Sequence, residues 1–498
     1  MTPKARFRSV LFLELNEADD HFLEKFCGEG KLPAFARVLS EGAKTRTCIP
    51  GWDPDEDRAW RHISPWIVWP SIYTGLTAQQ HGIVAFGQDN QALKGRCVWD
   101  VLAAHDLSTG VFGCLHSHPP RNEATARFYL PESLANDAAC FPHSLGPLQE
   151  FFVTGARNYS ESFLSGSSRM LGLLARTRRA GIRRRSLART VAQVPLELLR
   201  GERQIPERAM LHSHLSWDAF RALYQAHKPR YAALHLNHIA YMQHRYWRAA
   251  EPHRFSETLG PADAEFYDST QDRGRSETAF SGWIERSFRY SDEVLAHLMA
   301  LCDPSTLLLV GTGLGQRPMD PDGEIHNPVV RAHEPEALFR AFGLQSFEVL
   351  HQMNPDLTVN FSDEEAAARA FTVLSSLAIV PGAPLFDATR AGLQVFLELR
   401  LPPEIWRNPT ARIHSDASDA PGVPWQQFIK VSGHRDQSTA HHHDGGLLLA
   451  WSPSGSLEGT SEPIPVTDIA PNLLNLLGVP LAPWMNPTPV SILSQVGV

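Results

Sequence analysis

Long hydrophobic runs are missing from this sequence. No stretch approaches the roughly 18 apolar residues that a spanning helix needs, so no transmembrane helix is expected. Cysteine is scarce as well: Cys27, Cys48, Cys97, Cys114, Cys140 and Cys302 lie far apart and form no CxxC pair. That spacing excludes a disulfide framework and a zinc ribbon and fits a reducing compartment. An excess of positive charge is also absent, since 46 Lys and Arg stand against 54 Asp and Glu for a formal net charge of −8. A mildly acidic chain is no generic binder of nucleic acid or of anionic membranes. Internal repeats and low-complexity tracts are lacking too. The apolar stretch Val10–Leu13 behind Lys4, Arg6 and Arg8 is too short for a signal-peptide core. The cytoplasm is therefore the expected location.

What is present can bury a sizeable core: 43% of the 498 residues are apolar and only 20% charged, which excludes wholesale disorder. Short apolar runs closed by polar residues read as buried parallel strands at Val10–Leu15, Gly110–Leu115, Tyr231–Leu236, Thr306–Gly311 and Leu447–Trp451. Amphipathic stretches at Asp19–Glu29, Lys31–Glu41, Trp99–His105 and Phe288–Leu301 read as helices. Alternation of the two predicts an α/β fold, with helices on both faces of a mostly parallel sheet. The alternation breaks twice. Residues 116–229 are helical in pattern and 318–430 mix helix with Pro-rich loops; both read as insertions on a single domain spanning 1–498. The first insertion carries Arg176, Arg178, Arg179, Arg183, Arg184, Arg185 and Arg189. This cluster is either a solvated helical face or a patch for an anionic partner.

Ligands of an open parallel sheet bind beyond the carboxyl ends of its strands. Glu14, Asn16, Glu17 and Asp19 gather around the end of the first strand; Asn237, His238, Gln243 and His244 follow Tyr231–Leu236. Thr312, Gly313 and Gln316 follow Thr306–Gly311, and His441-His442-His443-Asp444 precedes the last strand. Each has an ordinary reading as a cap, a core side chain, a turn or a surface loop. Four such groups at four strands predict a shared cleft, in which Asn16, His244, Thr312 and His441 converge.

The order of these segments resembles the alkaline phosphatase superfamily, in particular its type I phosphodiesterase/nucleotide pyrophosphatase branch. "VLFLELNEADDHFLEKFCGEGKLPAFARVLSEGA" is similar to that branch's first strand, helix and "LPNL" turn, and "WPSIYTGLTAQQHGI" to its "TG…HGI" signature through Thr74, Gly75, His81 and Gly82. "VWDVLAAHDLSTGVFG" looks like the next helix and strand, "HLNHIAYMQHRYW" lies at the D-x-x-x-H pair and "LLLVGTGLGQ" at "SDHG". "HHHDGGLLLAWSPSG" resembles "H-x-x-E-G", and "VTDIAPNLLNLLGVPLAPWM" the C-terminal "DIAPTLL…LG" helix. The resemblance implies an alkaline-phosphatase-like α/β core covering both ends of the chain. It also implies two divalent metals held by Asp and His around a Thr or Ser nucleophile.

Here the metal ligands depart from the pattern. The first Asp falls on Asn16, the Asp of D-x-x-x-H on Ala240, and the Asp and His of "SDHG" on Thr312 and Gly313. His244 and His441 alone stand at matching ligand positions. Pro65 stands at the nucleophile position with Ser64 one residue before it; Ser71 is a weaker candidate. Too few carboxylates are left to offset two divalent cations, so a paired-zinc site is not expected. One divalent metal, zinc or another, is the most these ligands allow, at His244, His441 and His238, with His442 and His443 of the same run beside them. The expected function is a divergent phosphodiesterase- or phosphatase-like hydrolase or transferase. His244, Ser64, Asn16 and Thr312 would be its catalytic candidates. Glu14, Glu17, Asn237, Gln243 and Gln316 would hold a small phosphate-ester or sugar-like ligand. The alternative is a non-catalytic relative that binds an anionic or sugar-like ligand, or a protein partner, through the same cleft.

Overall fold

The computed structural model describes residues 4–52, 63–83, 88, 90–157, 172, 176–255, 270–319, 330–351, 357–380, 383–401, 405, 408, 410–431 and 438–493. Parts of both expected insertions, 158–171 and 320–329 among them, lie outside the described residues.

The apolar runs become neighbouring strands because they are buried on both faces, and the polar Ala43–Cys48, buried on one face, joins them. They are β1 (Ser9–Leu15), β2 (Ala43–Cys48), β3 (Thr109–Phe112), β4 (Ala126–Leu130), β5 (Tyr231–Leu236) and β6 (Thr306–Gly311). After them come the short β7 (Gly315–Pro318), β8 (Ala440–His443), β9 (Leu447–Trp451) and β10 (Ile464–Pro465). Eight of these form one sheet in the order β10-β2-β9-β6-β1-β5-β3-β4, and β7 pairs with β8 separately. Alternation along β1 sorts its side chains between two apolar layers. Leu11, Leu13 and Leu15 join the layer containing helix α1 (Asp20–Gly28) and α2 (Pro33–Glu41). Val10 and Phe12 join the layer containing α3 (Pro65–Thr74) and α4 (Val98–Ala104). Glu14 and Asn16 continue the α3 side of that alternation.

Two expectations are corrected. The strand expected at Gly110–Leu115 ends at Phe112, because Gly113 turns into the left-handed region at φ +75°. Leu447–Trp451 is antiparallel to both β6 and β2 rather than parallel. The reason is the path of the chain: it leaves along β6 and β7 and returns along β8 and β9, antiparallel to the outgoing pair. The segment between them, residues 330–431, contributes two four-stranded antiparallel arrays and its own apolar cluster around Leu338, Phe339, Val359, Leu374 and Ile413. Strands there accompany the expected helices, which are Pro335–Ala341 and Glu364–Ser376, where loops alone were expected between them. The expected helical insertion 116–229 likewise contains a strand, β4, which forms an edge of the main sheet. Its helices include α5 (Arg184–Arg200) and α6 (Ile205–His227); beyond it follow α7 (His238–Ala250), α8 (Trp283–Leu301) and α9 (Ile469–Leu477). No described helix is long and apolar enough to cross a membrane. All six cysteines are free thiols.

Candidate functional site

The polar residues gather beyond the ends of β1, β5 and β6, where the β7–β8 pair covers them. Glu17 is at the centre. Its φ of +57° is unusual for a residue with a side chain. The turn is held by Glu17 N–H donating to Thr312 O at 2.9 Å and Gln243 Nε2 donating to Glu17 O at 2.8 Å. The side chain is therefore fixed by a strained but well-tied backbone, a combination common at functional sites.

Three groups meet the Glu17 carboxylate at Oε2. Gln316 Nε2 donates to it at 2.5 Å, while His244 Nε2 lies at 2.9 Å and His442 Nε2 at 3.4 Å. Both imidazoles are oriented from behind. His244 Nδ1–H donates to Ala440 O at 2.9 Å and His442 Nδ1–H to Ile63 O at 3.0 Å. A carbonyl can only accept, so each Nδ1 carries the proton and each Nε2 of a neutral ring turns its lone pair toward the same carboxylate oxygen. Burial pushes the Glu17 pKa up, but the charges of His442 and His244 and the bonds from His244 and Gln316 outweigh it and hold it at about 2. Burial pushes the His244 pKa down, yet Glu17 reverses this and leaves it raised. In His442 burial prevails and the pKa is lowered. Ligand atoms of Glu17, His244 and His442 all lie within 4.8 Å of one another, as metal ligands must.

The neighbouring candidates form one connected network. Asn16 Nδ2 donates to Glu17 Oε1 at 2.9 Å and to Asn237 Oδ1 at 2.7 Å. Gln243 Oε1 accepts from Asp19 N at 3.1 Å, and Gln316 Nε2 also reaches Ala240 O at 3.2 Å. Thr312 Oγ1 accepts from Leu447 N at 2.8 Å, so its hydroxyl closes the β6–β9 pair. Glu14 lies beneath, taking Tyr73 Oη–H at 2.6 Å and His235 Nδ1 at 3.0 Å. Ser64 caps α3 with non-helical backbone, but its hydroxyl makes no capping bond. The adjoining residue, Ile63, is the one that holds His442.

Two expected metal ligands are placed elsewhere. His441 sits opposite Arg317 in the β7–β8 register, and its Nε2 accepts from Arg317 Nε at 3.2 Å. Strand alternation turns the next residue, His442, opposite Gln316 and toward Glu17. His238 faces away, with Nδ1 at 3.0 Å from Ser213 Oγ and Nε2 at 3.0 Å from Ser291 Oγ. It is a buried histidine satisfied between α6 and α8, because the turn of α7 separates it from His244.

Trp69 is the residue that sequence reasoning missed. Its indole is fully buried, and Nε1–H donates to Asn16 Oδ1 at 2.7 Å. It also presses on Gly313, where φ is +74° and an added Cβ would stand 3.0 Å from Trp69 Cε2. An indole therefore occupies the space between Asn16 and Gly313. In sequence Trp69 is one more apolar residue of a helix, with no signal to single it out. The resembling signature residues serve the far end of α3. Thr74 Oγ1 donates to Pro70 O at 2.7 Å, Gly75 is the left-handed C-cap, and His81 Nε2 lies 3.0 Å from Ser71 Oγ. His81 Nδ1 accepts from Ile83 N at 3.0 Å, so Nε2 bears the proton and cannot serve as a base for Ser71.

A profile of the type I phosphodiesterase / nucleotide pyrophosphatase family matches residues 19–327, more than half of the chain. No curated protein matched. Among solved structures, human ectonucleotide pyrophosphatase/phosphodiesterase 5 aligns at 13% identity over 98% of this chain and 100% of that one, with a TM-score of 0.39. Phosphonoacetate hydrolase from Sinorhizobium meliloti, bound to phosphonoformate, aligns at 14% identity over 96% and 99% of the two chains, again at 0.39. An inactive variant of murine ectonucleotide pyrophosphatase/phosphodiesterase 5 in complex with AMP aligns at 12% identity over 96% and 97%, at 0.34. The chain belongs to the type I phosphodiesterase / nucleotide pyrophosphatase family.

Proposed function

We propose that this protein is a divergent phosphoester hydrolase or transferase whose reaction centre holds one divalent cation rather than two. The observation that carries the reading is the pair of imidazoles, His244 and His442, each tied through Nδ1–H to a backbone carbonyl and each presenting Nε2 to Glu17 Oε2. Metal-binding histidines are commonly oriented this way, because the rear hydrogen bond fixes the tautomer and raises ligand basicity. Without a cation or proton between them, the neutral His442 lone pair and the carboxylate would repel at 3.4 Å.

A paired centre does not fit these residues. Asn16 offers a neutral amide whose oxygen already accepts from Trp69, Ala240 has no donor, and Gly313 is covered by the same indole. One cation fits Glu17, His244 and His442, a carboxylate and two imidazoles that suit zinc and other transition ions. Bound there, it would neutralise charge on the oxygens of a phosphoryl group.

The chain's own residues supply the rest. Gln316 Nε2 and the left-handed turn hold the Glu17 carboxylate in place. Ser64 is the proposed nucleophile: its Oγ attacks phosphorus and releases its proton to water, the ester P–O bond breaks, and the leaving alkoxide takes up a proton from water. Water or a second alcohol then releases the phosphoryl group from Ser64. A hydroxyl at the head of a ten-residue helix, not engaged as its cap, is suited to that place, since the helix terminus favours the anion formed.

The test is turnover of 4-nitrophenyl phosphate and bis(4-nitrophenyl) phosphate by chelator-treated protein resupplied with zinc or manganese. Metal-dependent turnover, lost in Glu17→Gln and in Ser64→Ala, is expected. Turnover retained by Glu17→Gln would contradict the metal assignment, and turnover retained by Ser64→Ala the nucleophile. The second reading, a non-catalytic ligand-binding relative, is favoured by one feature: Asn16 and Thr312 are fully engaged with the fold. It predicts saturable binding of a phosphate ester with no turnover of any ester under every metal condition.

A further inference from the structure

Helix α5 packs Leu187 on the core but otherwise keeps polar residues inside and apolar ones outside. Its inward positions include Ser186, Thr190 and Gln193, each at least 95% buried, whereas Val191, Leu198 and Leu199 are 47%, 62% and 80% exposed. An ordinary surface helix has the reverse pattern. These three are most of the five large apolar side chains exposed among the described residues. At about 100° per residue, Ala188, Ala192, Pro195 and Leu199 run along the middle of the solvent face, with Val191 and Leu198 on one side. Arg185, Arg189 and Arg200 lie on the other side of that stripe, and Arg184 is at its head.

The charge is one-sided as well. The helix carries four arginines and a single acid, Glu197, which pairs with Arg208 of α6 at 2.5 Å. Arg183, just before it, is taken by Asp218 at 3.1 Å. Among the described residues no carboxylate pairs with Arg184, Arg185, Arg189 or Arg200, all of them exposed; Arg189 meets the neutral His214 Nε2 at 3.3 Å. The chain's net charge of −8 does not offset this patch, because charges beyond about 10 Å are screened at physiological salt.

We infer that α5 is an interfacial helix that docks on an anionic lipid surface, laying its Val191–Leu198–Leu199 stripe among the acyl-chain boundary and its arginines on headgroup phosphates. Neither half of the face fits another partner as well. A nucleic acid would meet the arginines and leave the leucines in water. A second copy across a twofold axis would cover the leucines and bring arginine near arginine. A lipid surface takes both. This goes beyond the phosphoester reading and does not depend on it.

The experiment is flotation of the full chain with vesicles of phosphatidylcholine alone and with about 30% phosphatidylserine, at low and at high salt. Binding only to the phosphatidylserine vesicles is expected, falling about 10-fold when salt is raised to ~0.5 M. Leu198→Ser/Leu199→Ser and Arg185→Ala/Arg189→Ala should each weaken binding by about 10-fold or more, with unchanged thermal melting. Wild-type protein that ignores phosphatidylserine overturns the inference. So does a dimer in solution that Leu198→Ser/Leu199→Ser dissociates while vesicles bind neither form.

Discussion

At the scale of single residues, one position along a strand decides which histidine faces the carboxylate. His442→Ala removes a group aimed at Glu17 Oε2 and is expected to weaken zinc affinity by about 100-fold or more while the melting temperature changes little. His441→Ala removes a side chain facing Arg317 and should keep zinc affinity within about 3-fold of wild type by calorimetric titration. Equal loss in both variants would contradict the register-based assignment. His238→Ala makes the opposite kind of prediction. Its ring is 2% exposed and bonded to Ser213 and Ser291, so truncation leaves a cavity and unpaired hydroxyls. Chemical denaturation should show a loss of about 2–4 kcal/mol, with zinc binding intact.

Among the elements, the β6–β9 pair carries the site, because Thr312 joins it at the point where the chain turns toward Glu17. Thr312→Val removes the acceptor of the Leu447 N–H and should cost about 1–2 kcal/mol by denaturant unfolding. A stable Thr312→Val protein with abolished zinc binding would instead make the hydroxyl part of the site. The same pair shows what the sequence made legible. Runs such as "TLLLVG" and "LLLAW" declare buried strands because nothing polar interrupts them, but a run buried on both faces reads the same in either direction. Direction came from the excursion between β7 and β8. The excursion's own strands, such as Phe386–Ala391, are partly exposed and were hidden by Pro-rich and polar composition. Within the site, Glu17, Asn237, Gln243, His244 and Gln316 were legible because each follows a recognisable strand end. His442 instead of His441 was not, since a one-residue choice depends on pairing with β7. Trp69 over Gly313 depends on tertiary packing alone.

For the molecule as a whole, burial of imidazoles ties stability to pH. Burial lowers the pKa of His81, His212, His238 and His441 to about 4 and of His116 and His214 to about 3. The native state therefore binds these protons less readily than the unfolded chain does. Their contribution is fully present above the ordinary value near 6.5 and is lost as pH falls from there toward 4. The melting temperature should drop by at least about 5 °C between pH 7 and pH 5, the histidines outnumbering Asp19, whose carboxyl burial raises to about 6 and whose protonation in that range acts the other way. A flat profile over that range would mean that the histidines are solvated. The central claim concerns the one-cation centre, and metal stoichiometry tests it most directly. Protein stripped by chelator, loaded with zinc and dialysed should hold one zinc per chain by elemental analysis, and Glu17→Gln should hold none. Two tightly held zinc ions per chain, or none in the wild type, would contradict it.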